Sequence, residues 1–176
     1  MANSYFIPVI YPDYLVKDGS AQLPLLGHAG FILVDSSGNA TYYEYGLYNT
    51  SQNGVVTNNP NGNNVREFDL GPVNYDSSGN ITADSLQGAL DNLYGPPGND
   101  TSAYTGDTGM MFVSPVQITG TQANTISSDL STFIANDSTL GGTPNYSTYN
   151  NNCLQFVYNN ATNGGCLLYT SDAADE

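Results

Sequence analysis

Apolar residues fall in short runs parted by stretches of Asn, Ser, Gly and Pro, a spacing that predicts short strands, many turns and a few helices. Residues Tyr5 to Ile10 read as a β segment interrupted by Pro8, followed by loop as far as Leu25. Gly27 to Asp35 (GHAGFILVD) is a continuous apolar strand. Asp35-Ser36-Ser37-Gly38 is a turn with Gly at the left-handed position, and Thr41 to Tyr48 (TYYEYGLY) is an aromatic return strand. Residues Asn49 to Asn64 read as loop with a short strand at Val55-Val56, and Val65 to Leu70 (VREFDL) alternates as another strand. Thr82 to Tyr94 is a helix, with Thr82 able to cap it, Leu86, Leu90 and Leu93 at helical spacing, and Gly95-Pro96-Pro97-Gly98 as its stop. Gly109 to Ile118 is a strand, and Thr121 to Asn136 a second helix with Ile126, Leu130 and Phe133/Ile134 on one face. After a polar loop, Asn151 or Asn152 can cap a third helix and place Cys153 in its first turn.

No internal repeat and no long linker divides the chain, and 176 residues can bury a substantial core, so one domain is expected. Only 10% of residues are charged, and the net charge is -14, with Lys17 and Arg66 as the only cations. Phosphate would repel such a chain, which excludes nucleic acid or an anionic membrane held through a basic patch. The N-terminal residues lack the basic start and apolar run of a signal peptide, and no stretch is apolar enough to span a bilayer. Export would need another route, and a phage-associated product is the other setting that the composition fits.

The last eleven residues, CLLYTSDAADE, match no pattern upstream and resemble the translated read-through of a sequencing adaptor. Residues 1–165 are therefore expected to form the domain, C-terminally truncated, with 166–176 a non-native tail. Setting Cys166 aside leaves Cys153 as the only cysteine, which argues against a disulfide and keeps one thiol available for chemistry.

A cysteine becomes a nucleophile when its thiolate is favoured, and a helix N-terminus and a neighbouring imidazole both do this. Cys153 has the first, and His28, the only histidine, sits at the start of the apolar strand where its ring could meet a packed helix. A third group must orient the imidazole. If the hairpin closes with a type I turn and a bulge at Gly38, Asp35 pairs with Asn39 and Gly30 falls opposite Glu44, on the face of His28. Glu44 could then reach across the bare Gly30, whereas a two-residue loop would turn it to the other face. Taken singly, each of these residues has a bland reading: a buried small hydrophobe, a structural histidine, a surface carboxylate. Their combination favours chemistry. The tyrosines at 42, 43, 45 and 48 are read as sheet packing. Asp76-Ser77-Ser78-Gly79-Asn80 lacks the ligand spacing of a calcium loop, and no phosphate or dinucleotide loop is present, so no cofactor or metal is expected.

The GHAG strand start, the following Tyr42-Tyr43-Glu44-Tyr45-Gly46, and the late Asn151-Asn152-Cys153 helix start together resemble the permuted NlpC-like papain-fold cysteine hydrolases, over about residues 25–160. The resemblance implies an α+β fold with a small antiparallel sheet packed against a few helices, the His strand preceding the Cys helix. It also implies Cys153 as the thiolate nucleophile, His28 as base and then acid, and a polar orienter on the next strand. Glu44 matches that orienter by strand order, with Tyr42 as the less favoured substitute. Peptide or peptidoglycan is the substrate class implied; lipid acyl transfer or thioester cleavage, and a non-enzymatic virion or adhesion module on the same core, are the competing readings.

Overall fold

A computed structural model describes residues 3–12, 16–18, 21–23, 27–58, 63–94, 111–112, 114–139 and 152–165. The proposed Gly-Pro-Pro-Gly stop, most of the polar loop before the Cys helix, and the adaptor-like tail with Cys166 lie outside them. The chain runs β1 (Ser4–Tyr11), β2 (Val16–Asp18), β3 (Ala21–Leu23), β4 (His28–Val34), β5 (Asn39–Leu47), β6 (Asn63–Pro72), α1 (Ala83–Tyr94), β7 (Met111–Phe112), β8 (Val116–Ile118), α2 (Gly120–Thr139) and α3 (Cys153–Asn163). The strands β6-β5-β4-β1 form an antiparallel sheet whose β1 edge is shared by β7 and β8, and β2 and β3 make a separate ribbon. The fold is α+β, and the His28 strand precedes the Cys153 helix.

Helices cover both faces of this sheet. Leu90 and Leu93 of α1 pack with Ile7, Val9, Ile32, Tyr42 and Leu70 on one side. Ile126 and Leu130 of α2 and Phe156, Val157 and Ala161 of α3 pack with Phe6, Phe31, Leu33 and Tyr45 on the other. That double cover explains why β4 is buried at every position instead of alternating, as a strand between two cores must be.

Several sequence expectations change here. Pro8 does not interrupt β1: its outer neighbour is β8 over Ser4–Phe6 and β7 over Val9–Ile10, so the residue without an N–H sits where the pairing partner changes. The strand expected over residues 109–118 is accordingly two short ones, with Pro115 between them. The expected loop from residue 11 to 25 contains the β2-β3 ribbon. Val55-Val56 reduces to an isolated bridge from Val55 to Arg66.

The pentapeptide Asp-Ser-Ser-Gly-Asn occurs twice, at 35–39 and 76–80, and folds the same way both times. In each, the aspartate Oδ1 accepts from the amides two and four residues on, at 2.8 and 3.0 Å for Asp35 and 2.8 and 2.9 Å for Asp76. The glycine amide donates to the aspartate carbonyl at 3.0 Å in both, and Gly38 and Gly79 take φ of 88° and 83°. Only glycine adopts that left-handed backbone without steric cost. Local chemistry therefore sets these turns, including the one that fixes the β4-β5 register.

Phe156 anchors α3 to the sheet, its ring centroid 5.8 Å from Phe31, 5.8 Å from Tyr45 and 5.5 Å from Phe133 of α2. Phe156→Ala should lower unfolding free energy by about 3–5 kcal/mol, the usual cost of emptying a packed aromatic site, as read from urea denaturation.

Candidate active site

Asn152, not Asn151, is the residue that caps α3. Its backbone is extended at φ -123°, and its side-chain oxygen accepts from the Gln155 amide at 2.9 Å. Cys153 is therefore the first helical residue, where backbone amides lack intrahelical partners and the helix dipole favours an anion. The thiol is buried, at 6% exposure, against the core under β4.

His28 opens β4 directly across from Tyr11 of β1. The Tyr11 ring lies near-parallel to the imidazole at 6.1 Å, and the Tyr48 ring meets it edge-on at 6.2 Å. The imidazole Nε2 lies 3.0 Å from Glu44 Oε2, and Tyr48 Oη lies 2.9 Å from the same nitrogen. The Cys153 side chain hydrogen-bonds to His28 as well.

The hairpin register is the one the turn chemistry implies. Asp35 donates its amide to the Asn39 carbonyl at 3.0 Å, and Gly30 pairs with Glu44. The space above Gly30 is used differently from the sequence expectation, however. A side chain at residue 30 would run into the Tyr42 phenol, which lies over the glycine and donates to Glu44 Oε2 at 2.9 Å. Tyr42 thus supports Glu44 and is not a substitute for it at the imidazole.

Arg66 completes the cluster from the neighbouring strand, where it pairs with Glu44 in the ladder. Its Nη1 donates to Glu44 Oε1 at 3.0 Å and its Nε to the Asn53 carbonyl at 2.8 Å. The guanidinium lies 4.9 Å from the Tyr48 ring centre and 4.7 Å from that of Phe68. In the sequence Arg66 stands out only as one of two cations and Tyr48 only as a packing aromatic. A signal existed for Arg66: in the alternating VREFDL strand it holds the same phase as Phe68 and Leu70, where an apolar residue is normal.

Arg66, Glu44 and His28 thus form a buried row of opposite charges, exposed 2%, 0% and 5%. Burial works against a charged imidazole, but the Cys153 and Glu44 hydrogen bonds and the negative charge of both partners outweigh it and raise the His28 pKa to about 9. At neutral pH the ring is therefore an imidazolium beside the buried Glu44 carboxylate. Among the described residues no group of three or more His, Cys, Asp or Glu side chains could hold a metal. No described helix is long and apolar enough to cross a membrane.

Because the folded His28 pKa lies above its ordinary 6.5, the stability it contributes is complete below about pH 6.5 and is lost as pH rises through about 9. The difference in unfolding free energy between the parent protein and His28→Gln, measured across that range, should be largest at the acid end and shrink steadily toward pH 9. A flat difference would contradict the charged state assigned to the ring.

A family model described as type VI secretion system effector TseH-like matches residues 6–165. The crystal structure of the type VI secretion system effector TseH superposes with a TM-score of 0.59, at 27% sequence identity, covering 93% of this chain and 78% of that one. No curated protein sequence matches the chain.

Proposed function

The chain belongs to the TseH-like family of type VI secretion system effectors, and from that membership and the geometry around Cys153 we propose that it is a thiol hydrolase that cleaves an amide bond in peptidoglycan peptides. The observation that carries this reading is the imidazole of His28 held between the Glu44 carboxylate, at 3.0 Å, and the Cys153 thiol at a helix N-terminus. A lone buried cysteine is usually inert. One that shares a hydrogen bond with a carboxylate-anchored imidazolium has the means to lose its proton.

The steps follow from the positions of these groups. With Nε2 committed to Glu44, contact with the thiol falls to Nδ1, where the Cys153 proton already resides in the reactive form, a thiolate beside an imidazolium. The thiolate attacks the amide carbonyl carbon, forming a C–S bond and pushing the π electrons onto oxygen. The backbone N–H of Cys153, in the first turn of α3, is the donor proposed for that oxyanion. As the tetrahedral species collapses, the imidazolium protonates the leaving amine and the C–N bond breaks. Water, deprotonated by the now neutral imidazole, then attacks the thioester carbonyl; the C–S bond breaks, the carboxylic acid leaves, and the thiolate is restored beside the imidazolium. Glu44 keeps its charge throughout, holding the ring in one orientation and stabilising the imidazolium.

Peptidoglycan is the substrate class favoured because the family is one of secreted effectors, and the permuted NlpC-like pattern of GHAG strand and Asn-Asn-Cys helix points to the same amide chemistry. The test is incubation of the protein and its Cys153→Ala variant with purified muropeptides, followed by mass spectrometry. Products gaining one water at a peptide amide, present with the parent protein and absent with Cys153→Ala, are expected. Intact muropeptides in both arms would remove the proposal.

A further inference from the structure

We propose that Arg66 is a positioning residue for the Cys153 chemistry: its guanidinium fixes the Glu44 carboxylate that fixes His28, and its buried positive charge is needed for the thiol to lose its proton. This rests on the hydrolase reading above and names what sets the nucleophile within it.

The chain has two cations, Lys17 and Arg66, against 16 acids, and Arg66 is 2% exposed. A lone surface arginine in so acidic a protein would find many carboxylates. This one is instead placed against a single buried carboxylate by a dedicated slot. The segment after β5 runs along the outer edge of β6, with Val56 donating to the Val65 carbonyl at 3.0 Å and Glu67 to the Gly54 carbonyl at 2.8 Å. That pairing sets the Asn53 carbonyl against Arg66 Nε at 2.8 Å, while Tyr48 and Phe68 supply aromatic rings to the guanidinium. Two hydrogen bonds and two rings fix the group so that Nη1 meets Glu44 Oε1, leaving Oε2 for His28 and Tyr42.

The electrostatic consequence follows from counting charges along the row. Among the described residues, the titratable and charged groups around His28 are Tyr11 from β1, Tyr42 and Glu44 from β5, Tyr48 after β5, Arg66 from β6 and Cys153 from α3. With the tyrosines neutral, the reactive form is guanidinium, carboxylate, imidazolium and thiolate, alternating in sign and summing to zero. Removing the guanidinium leaves one net negative charge in a buried site. The cheapest relief is uptake of a proton, by the thiolate or by Glu44. Protonation of the first abolishes the nucleophile, and of the second releases the imidazole.

The test is the pH dependence of iodoacetamide labelling, read at the Cys153 peptide by mass spectrometry so that Cys166 does not contribute, in the parent, Arg66→Gln and Arg66→Lys proteins. The parent midpoint should lie well below that of a free thiol, about 8.5. Arg66→Gln should move it up by at least one pH unit, making labelling at neutral pH about tenfold slower or more. Arg66→Lys, which keeps the charge and loses the fork, should recover most of the shift. Should Arg66→Gln fail to melt cooperatively, Arg66→Met is the second neutral variant, its length filling the slot between the rings. A folded neutral variant with the parent midpoint would overturn the role of Arg66 while leaving the hydrolase reading intact. A parent midpoint at the free-thiol value would overturn the hydrolase reading itself, and this inference with it.

Discussion

The ion pair between Arg66 and Glu44, 3.0 Å long and sealed from water, is the constraint on which the rest of the site depends. A carboxylate inside a protein is tolerated only when its lone pairs are satisfied, and Glu44 has three donors: the guanidinium, the Tyr42 hydroxyl and the imidazole. Each donor comes with a demand on the fold. The guanidinium requires the slot between Tyr48 and Phe68, the Tyr42 hydroxyl requires a bare Gly30 beneath it, and the imidazole requires β4 to begin at residue 28. Loss of any one leaves a buried charge or acceptor that the surroundings cannot solvate.

The sheet satisfies these demands through register. Glu44 lies between Gly30 on β4 and Arg66 on β6, so both neighbouring strands are read at one position. A slip of one residue on either side would turn the partner to the opposite face, since strand side chains alternate. The covered faces then hold the register in place: Phe31, Leu33 and Tyr45 face α2 and α3, while Ile32, Tyr42 and Leu70 face α1. Packing and charge placement reinforce one another here, because the strand positions that bury apolar side chains also aim Glu44 and Arg66 at each other.

Much of this was legible in the chain because it is locally encoded. The Asp35 turn closes through its own side chain and Gly38, and the register of Gly30 with Glu44 follows by counting. Asn152 caps α3 with its own oxygen, which puts Cys153 at the helix start. Tyr48 and Arg66 were not legible in the same way. Tyr48 stands in a run of tyrosines, and nothing in the sequence separates its ring, which meets His28 and Arg66, from that of Tyr45, which packs on Phe133 and Phe156. Arg66 is one cation in an acidic chain, and nothing adjacent in sequence names its partner 22 residues away.

The elements encoded locally in the chain are those whose geometry closes within about five residues: the two Asp-Ser-Ser-Gly-Asn turns, with the hairpin register that the first one sets, and the Asn152 cap. Each rests on a side chain or a glycine that acts on its own stretch of backbone, so no distant contact is needed. How β1 passes Pro8 between two partners, which residue lies over Gly30, and which carboxylate receives the buried guanidinium emerge only when the strands and helices assemble. Those outcomes are set by burial and charge neutrality summed over three strands and a helix, and such a sum has no signature in any single segment.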